Sequence, residues 1–236
     1  MKKRLVWLVL GVLGVVLFFC CSVLANDTIG TAWNVSLNSV RAESINSYTD
    51  KIDWYRVEVP NAGGMIVFAE SSDFENYGVD LVMYYKYPNT GEIREVARDP
   101  DPIKLKNVGG ACRAGTYYIK VEARYTSTRA VNYKLGVGFT ENHRYCTEGD
   151  PKLYNLEIAR NAITWILLVD DSSSFDPDLL IFENSRVVGG SFETGNFDHM
   201  RWELVGGTGT ESFTCAVGST RGSGYYWLFI LTYHLN

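Results

Sequence analysis

Three stretches of this chain alternate strictly between apolar and polar side chains, and that pattern leaves little choice of secondary structure. In Thr116–Arg124, Tyr117, Ile119, Val121 and Ala123 fall on one face and Tyr118, Lys120, Glu122 and Arg124 on the other. A period of two is the mark of a strand with one face buried. Tyr55, Val57 and Val59 alternate in the same way with Arg56 and Glu58, and Tyr133, Leu135, Val137 and Phe139 with Asn132, Lys134, Gly136 and Gly138. Turn formers separate these runs, as at Pro60-Asn61-Ala62-Gly63-Gly64, Pro88-Asn89-Thr90-Gly91 and Asp99-Pro100-Asp101-Pro102. Short strands with turns every ten residues or so predict an all-β chain of antiparallel sandwiches, most simply jelly-roll-like. No stretch beyond the N-terminus carries a long helical period with caps.

The N-terminus is different in kind. Met1-Lys2-Lys3-Arg4 precedes an unbroken run of apolar residues and glycine from Leu5 to Phe19, then Cys20-Cys21-Ser22-Val23-Leu24-Ala25 and the polar Asn26-Asp27. A basic end, an apolar stretch and small residues at a cut site are the three parts of a secretory signal, so residues 1–25 read as a signal peptide cleaved after Ala25. The competing reading is an uncleaved membrane anchor over residues 5–24. A lipoprotein signal is disfavoured, because Phe19 and Cys20 precede the two cysteines. Cleavage removes three of the 22 basic residues and none of the 27 acidic ones, so the exported part carries a net charge of −8. Such a chain is a poor match for nucleic acid or acidic lipid. The expected location is therefore periplasmic, cell-surface or extracellular, with membrane contact only through an uncleaved N-terminus.

The alternation pauses at Thr140–Pro151, and the sequence beyond it looks like a diverged copy of what precedes. Arg113-Ala114-Gly115-Thr116-Tyr117-Tyr118-Ile119 matches Arg221-Gly222-Ser223-Gly224-Tyr225-Tyr226-Trp227, Val79–Tyr84 matches Pro177–Phe182, and Trp54 before one apolar strand matches Trp165 before another. The expected division is residues 26–141 for one sandwich, 142–152 for a linker and 153–236 for a second. Trp165–Val169 and Tyr225–Leu231 are apolar throughout, without alternation. Strands of this kind are covered on both faces. Packing against the first domain or a loop is the favoured explanation, and an exposed aromatic binding surface is the alternative.

The first half, residues 27–140, resembles the bacterial pre-peptidase C-terminal domain family, secreted β-sandwiches often appended to exported proteases. Asp53–Pro60 is similar to the family's opening strand and Ala62-Gly63-Gly64 to the turn after it. Val79–Tyr84 resembles the acidic-leucine strand, Ala114–Val121 the glycine-tyrosine strand and Asn132-Tyr133-Lys134-Leu135 the closing one. The resemblance implies a non-catalytic accessory module associated with export, attachment or substrate contact; related sandwiches bind collagen. No peptidase domain accompanies it in this chain, so a separate exported peptidase is an implied partner. Some sandwiches of this kind bind calcium. Asp170, Asp171, Asp176 and Asp178 form the candidate site, with Asp176 and Asp178 matching the family's acidic pair. Hard cations take clustered loop oxygens, while the alternative is a solvated acidic loop, since Asp and Ser favour turns for their own backbone bonding. No other cofactor is expected.

Catalysis finds little support. His143, His199 and His234 are scattered, no His-Glu-x-x-His or Gly-x-Ser-x-Gly is present, and neighbours such as Asp198 and His199 point to opposite faces of a strand. The primary reading is an exported binding module that recognises a protein or glycan, with Tyr84, Tyr118 and Tyr226 as candidate contact residues. The alternatives are an assembly component that packs through its apolar C-terminal strand, and a hydrolase with an unrecognised site. Of the cysteines outside the signal, Cys112, Cys146 and Cys215, an odd number permits one bridge. Cys112 and Cys215 precede matching strands of the two copies and Cys146 in the linker could reach either; Cys112–Cys146 is favoured because it would clip the linker onto the first sandwich, and the alternative is three buried, unpaired thiols.

Overall fold

The computed structural model describes residues 26–46, 49–71, 78–99, 105–124, 130–171, 175–191 and 197–235. The expected signal peptide and Ser172–Ser174 of the acidic loop lie outside the described residues. Beyond one 3-10 turn at Ile29–Thr31, the regular structure described is entirely β. The first strands are β1 (Trp33–Asn34), β2 (Ser39–Asn46), β3 (Ile52–Val59), β4 (Gly63–Ser71), β5 (Val79–Lys86), β6 (Ile93–Asp99), β7 (Leu105–Cys112), β8 (Gly115–Ala123) and β9 (Ala130–Thr140). After the crossing at Glu141–His143 come β10 (Arg144–Cys146), β11 (Lys152–Ala159), β12 (Ala162–Asp170), β13 (Asp176–Glu183), β14 (Arg186–Ser191), β15 (Phe197–Leu204), β16 (Thr210–Arg221) and β17 (Gly224–His234). No helix among the described residues is long and apolar enough to cross a membrane.

The strands form four sheets, with orders β1-β3-β8-β5-β6, β2-β9-β4-β7, β10-β17-β12-β15 and β11-β16-β13-β14. All pairings are antiparallel except the short parallel contact of β1 with β3. Numbered from their own first strand, β2–β9 and β10–β17 follow one scheme. One sheet runs 1-8-3-6 and the other 2-7-4-5, which is the order of a jelly roll. The two halves of the chain thus share a topology.

That topology revises two of the sequence matches. Gly115-Thr116-Tyr117-Tyr118 opens β8, the seventh strand of its set, whereas Gly224-Tyr225-Tyr226 opens β17, the eighth. Trp54 lies in β3 and Trp165 in β12, the second and third strands. Both likenesses reflect a turn or an aromatic residue leading into a strand, which any two strands can share. Val79-Asp80-Leu81 and Pro177-Asp178-Leu179 do occupy equivalent strands, β5 and β13. Residues 142–152, expected as a linker, include β10, the first strand of the second set. Its three residues are too few to show a period, but Cys146 is fully buried in the second core.

The sheets stack as four layers with apolar residues in each of the three gaps. Inward residues of β2, β4 and β9, such as Ile45, Val67 and Leu135, meet Tyr55, Leu81 and Ile119 from β3, β5 and β8. In the second half, Ile166, Leu168 and Tyr226 meet Leu156, Ile181 and Val217. The middle gap joins the halves: Ile66 and Phe68 of β4 and Leu105 of β7 face Ile163, Trp165, Leu167, Trp227, Phe229 and Leu231 of β12 and β17. This accounts for the two non-alternating strands. The even-numbered Ile166, Leu168, Tyr226 and Leu228 serve their own sandwich, and the odd-numbered Ile163, Trp165, Leu167, Val169, Trp227, Phe229 and Leu231 serve the contact with the first. Fully burying side chains of this size contributes roughly 1.5–3 kcal/mol each, so the middle layer is a core in its own right.

Candidate functional site

Where the middle layer runs out, its aromatic lining reaches solvent. Trp227 sits directly over Gly64: a Cβ on Gly64 would fall 2.2 Å from Cγ of the indole. The chain bends at Asn61-Ala62 before β4 begins at Gly63, and Tyr225, two residues before Trp227 on the same face of β17, is left half exposed. Tyr225 and its cross-strand partner Tyr145 are each 47% exposed, with ring centroids 4.9 Å apart. His143 stacks on Trp227 at 4.4 Å with planes within 10°, and its centroid is 4.6 Å from that of Tyr225. His143 Nε2 lies 2.9 Å from the Asp171 carboxylate, and the Asp171 backbone N–H donates to the Tyr225 carbonyl at 3.3 Å. The Trp227 indole N–H is buried and has no acceptor among the described residues. The result is an open aromatic surface flanked by a carboxylate and an imidazole.

The tyrosines expected from sequence divide. Tyr84 and Tyr118 oppose each other across β5 and β8, half-buried, and Trp54 lies 5.3 Å from Tyr84. They do form one small patch on the outer face of the first sandwich, and Trp54 completes it. Tyr226 has no exposed surface: it lies in the second core, where its hydroxyl contacts that of Tyr154, and burial pushes its phenol well above the ordinary range. It is not a contact residue. The exposed rings beside it are those of Tyr225 and Tyr145, and no sequence signal singles them out.

Asp170 is buried at the end of β12, Asp171 faces His143, and Asp176 and Asp178 lie on β13. No group of three or more His, Cys, Asp or Glu side chains arranged for a metal occurs among the described residues. The expected Cys112–Cys146 bridge is absent as well. Cys112 belongs to the first core and Cys146, with Cys215, to the second, and all three are free and buried. Burial raises the Cys112 thiol to about 11 and that of Cys215 to about 12.

Two other polar groupings serve the fold. The Tyr133 hydroxyl donates to buried Asp53 and contacts the Tyr55 hydroxyl. Desolvation nevertheless raises the Asp53 carboxyl to about 6, and desolvation, Asp27 and Asp53 together raise Asp50 to about 7. An open groove of about 570 Å³ between the sandwiches is lined by Glu43, Glu70, Tyr133, Lys134 and Arg201 among others. Its opposite charges answer each other, with Arg201 Nε 3.1 Å from Glu70 and its terminal nitrogen 2.8 Å from Glu203.

No protein-family model matches the sequence, and no curated protein does. Among solved structures, the chain is similar to the pre-peptidase C-terminal domain of collagenase from Bacillus anthracis, at 18% identity and a TM-score of 0.38, over 45% of this chain and 93% of that one. It is also similar to the tandem CBM22 domains of Paenibacillus barcinonensis Xyn10C, at 8% identity and a TM-score of 0.26, over 81% of this chain and 90% of that one. A third similarity is to the PBSX exported protein XepA, at 8% identity and a TM-score of 0.30, over 83% of this chain and 88% of that one.

Proposed function

We propose that this protein is an exported, non-catalytic binding module that engages a saccharide chain at the cell surface or outside through Tyr145 and Tyr225. The observation that carries this reading is the pair of half-exposed tyrosine rings held in register across β10 and β17, with Asp171 and His143 at their side. A sugar ring offers an apolar C–H face to an aromatic surface and hydroxyls to flanking polar groups, and this site supplies both. A rigid scaffold beneath the rings limits the ordering cost of binding. Non-catalytic action is supported by the surroundings of the one histidine in the site. His143 is engaged by Trp227 and Asp171, and no Ser, Thr or Cys hydrogen-bonds to its ring among the described residues. Export rests on the N-terminal pattern of a basic end, an apolar run and a small-residue cut site.

A screen of the exported protein against polysaccharides and matrix proteins tests the reading, with Tyr145→Ala and Tyr225→Ala alongside. Saccharide binding that falls at least about tenfold in each variant, equivalent to about 1.4 kcal/mol, supports it. Binding confined to a protein, or unchanged in both variants, removes it. Calcium remains a separate proposal, decided by thermal unfolding in chelator against millimolar calcium: a site specific to the folded state raises the melting temperature.

A further inference from the structure

No charged side chain among the described residues is more deeply buried than Lys106, at 1% exposure. It lies near the start of β7, opposite Ala69 and two residues before Val108, so its side chain enters the first sandwich. Asp99, the last residue of β6, is paired with Leu81 of the same core and is also buried. The two residues belong to different sheets of that sandwich. Around the Lys106 nitrogen the acceptors among the described residues are the Asp99 carbonyl at 3.3 Å, Asp99 Oδ1 at 3.5 Å and Asp80 Oδ1 at 4.0 Å. A charge-assisted pair ordinarily closes to about 2.7–2.9 Å. This ammonium is therefore out of water without a close acceptor, which is a costly arrangement. Desolvation lowers the pKa of the Lys106 amine and outweighs the opposing pull of Asp99 and Asp80, so the uncharged nucleophilic form gains weight. The Asp99 carboxylate is divided in its partners: Oδ1 faces Lys106, and Oδ2 accepts the Asn107 backbone N–H at 2.8 Å. Asp80 is itself held by Arg124, whose Nε lies 3.3 Å from its Oδ1.

We propose that Lys106 and Asp99 condense to an intramolecular amide, which ties the two sheets of the first sandwich together. Asp80 takes a proton from the Lys106 ammonium, and the freed amine attacks Cγ of Asp99. Negative charge gathers on Oδ2, where the Asn107 N–H already donates and stabilises it as an oxyanion donor does. The Nζ–Cγ bond forms, the Cγ–Oδ1 bond breaks, and Oδ1 leaves as water. Of the three ammonium hydrogens, one stays on the amide nitrogen and two depart in that water, one of them returned by Asp80. The step needs no oxidant, reductant or activating group, and it replaces a poorly solvated ion pair with a neutral amide. Holding the two groups together in the core supplies the effective concentration that condensation lacks in free solution. Cys112, Cys146 and Cys215 are free, so this amide gives the first sandwich a covalent tie that they do not supply.

Mass spectrometry of the folded, purified protein with its cysteines reduced tests the proposal, and the wild-type result does not depend on any variant folding. The expected wild type is lighter than its sequence by one water. A tryptic digest locates the loss: the cut after Lys106 disappears, and Asp99–Lys104 is recovered joined to Leu105–Arg113. In Asp99→Ala the full sequence mass returns, and trypsin cuts after Lys106 to release Asn107–Arg113. Asp80→Asn keeps the side-chain shape without the proton acceptor and should slow the condensation at least about a hundredfold, leaving Asn107–Arg113 free in freshly made protein. A wild type of full sequence mass overturns the proposal. So does a missing water located at any other residue, as in a succinimide, and an Asp80→Asn protein joined as fully as the wild type overturns the proton route.

Discussion

Gly64 and Trp227 are interlocked: the indole lies where a Cβ on residue 64 would be, 2.2 Å from the nearest ring atom. This contact lets the two sandwiches approach closely enough to bury their shared layer, and it positions Trp227 beneath His143. Gly64→Ala should destabilise the protein by ~1–3 kcal/mol, the usual cost of forcing an extra methyl into a packed interior. Gly78→Ala is the control, since a Cβ there meets nothing within 4 Å, and its effect should stay within about 0.5 kcal/mol. Chemical denaturation of both variants checks the pair. Equal effects would mean that the close approach at Gly64 does not hold the layers.

Trp165 tests whether the middle layer couples the two halves. It is fully buried, 5.0 Å from Phe68 of the first sandwich, and belongs to β12 of the second. Trp165→Ala should cost about 3–5 kcal/mol. More tellingly, it should split one unfolding transition into two, because each sandwich keeps its own core while the contact between them is cut. Calorimetry reads this directly, and a single unbroken transition at lower temperature would show that the halves depend on each other for more than this layer.

The same layer explains what is and is not legible in the sequence. β3 and β8 each bury one face, so their alternation identifies both the strand and its inward residues; in β9 the alternation survives only because the positions facing the middle layer are Gly136 and Gly138, which are themselves buried. β12 is buried on both faces throughout and β17 has apolar residues on both faces with only Tyr225, Ile230 and His234 exposed, so their sequences contain no parity. For that reason the residue pattern points to Tyr226 rather than Tyr225 as the exposed ring: which of the two faces outward depends on where the first sandwich stops, near Gly63, a fact carried by another part of the chain. β10 is hidden for a different reason, being three residues long and polar on both sides. The pairing of Asp171 with His143 across the fold has no local signature either, since nothing near Asp171 in sequence distinguishes it from its acidic neighbours.

Adjacent tyrosines should therefore behave in opposite ways. Tyr226→Phe removes a buried hydroxyl contact with Tyr154 and should lower stability by about 1 kcal/mol while leaving ligand binding intact. Tyr225→Ala should weaken binding with little change in stability, its ring being half exposed. Melting temperature and affinity measured on both variants separate the two roles, and a loss of binding in Tyr226→Phe would contradict the assignment.

The three thiols make a chemical prediction. Cys112, Cys146 and Cys215 are buried, and burial holds each thiol above its ordinary range, so little thiolate is present near neutral pH. Native protein should react slowly with a thiol reagent and denatured protein should release all three equivalents of these cysteines. A non-reducing digest should show no peptide joining Cys112 to Cys146. Recovery of that peptide would mean that the two cores are linked in a way this structure lacks.

Stability should also change with pH in a direction set by Asp50 and Asp53. Both carboxyls titrate well above the ordinary 3.8 in the folded protein, Asp50 at about 7 and Asp53 at about 6, chiefly because burial penalises the charged form. Between 3.8 and these values the folded state binds protons that the unfolded state does not. These two groups therefore oppose folding at pH 8, and their cost fades as pH falls through 7 and 6 towards 4. The melting temperature should rise on mild acidification from pH 8 to pH 5. Asp53→Asn keeps an acceptor for the Tyr133 hydroxyl while removing the charge, so it should stabilise the protein at pH 8 and flatten the lower part of the rise. A melting temperature that falls steadily from pH 8 to pH 5, with Asp53→Asn following the wild type, would show that these carboxylates are paired or solvated when the protein is folded.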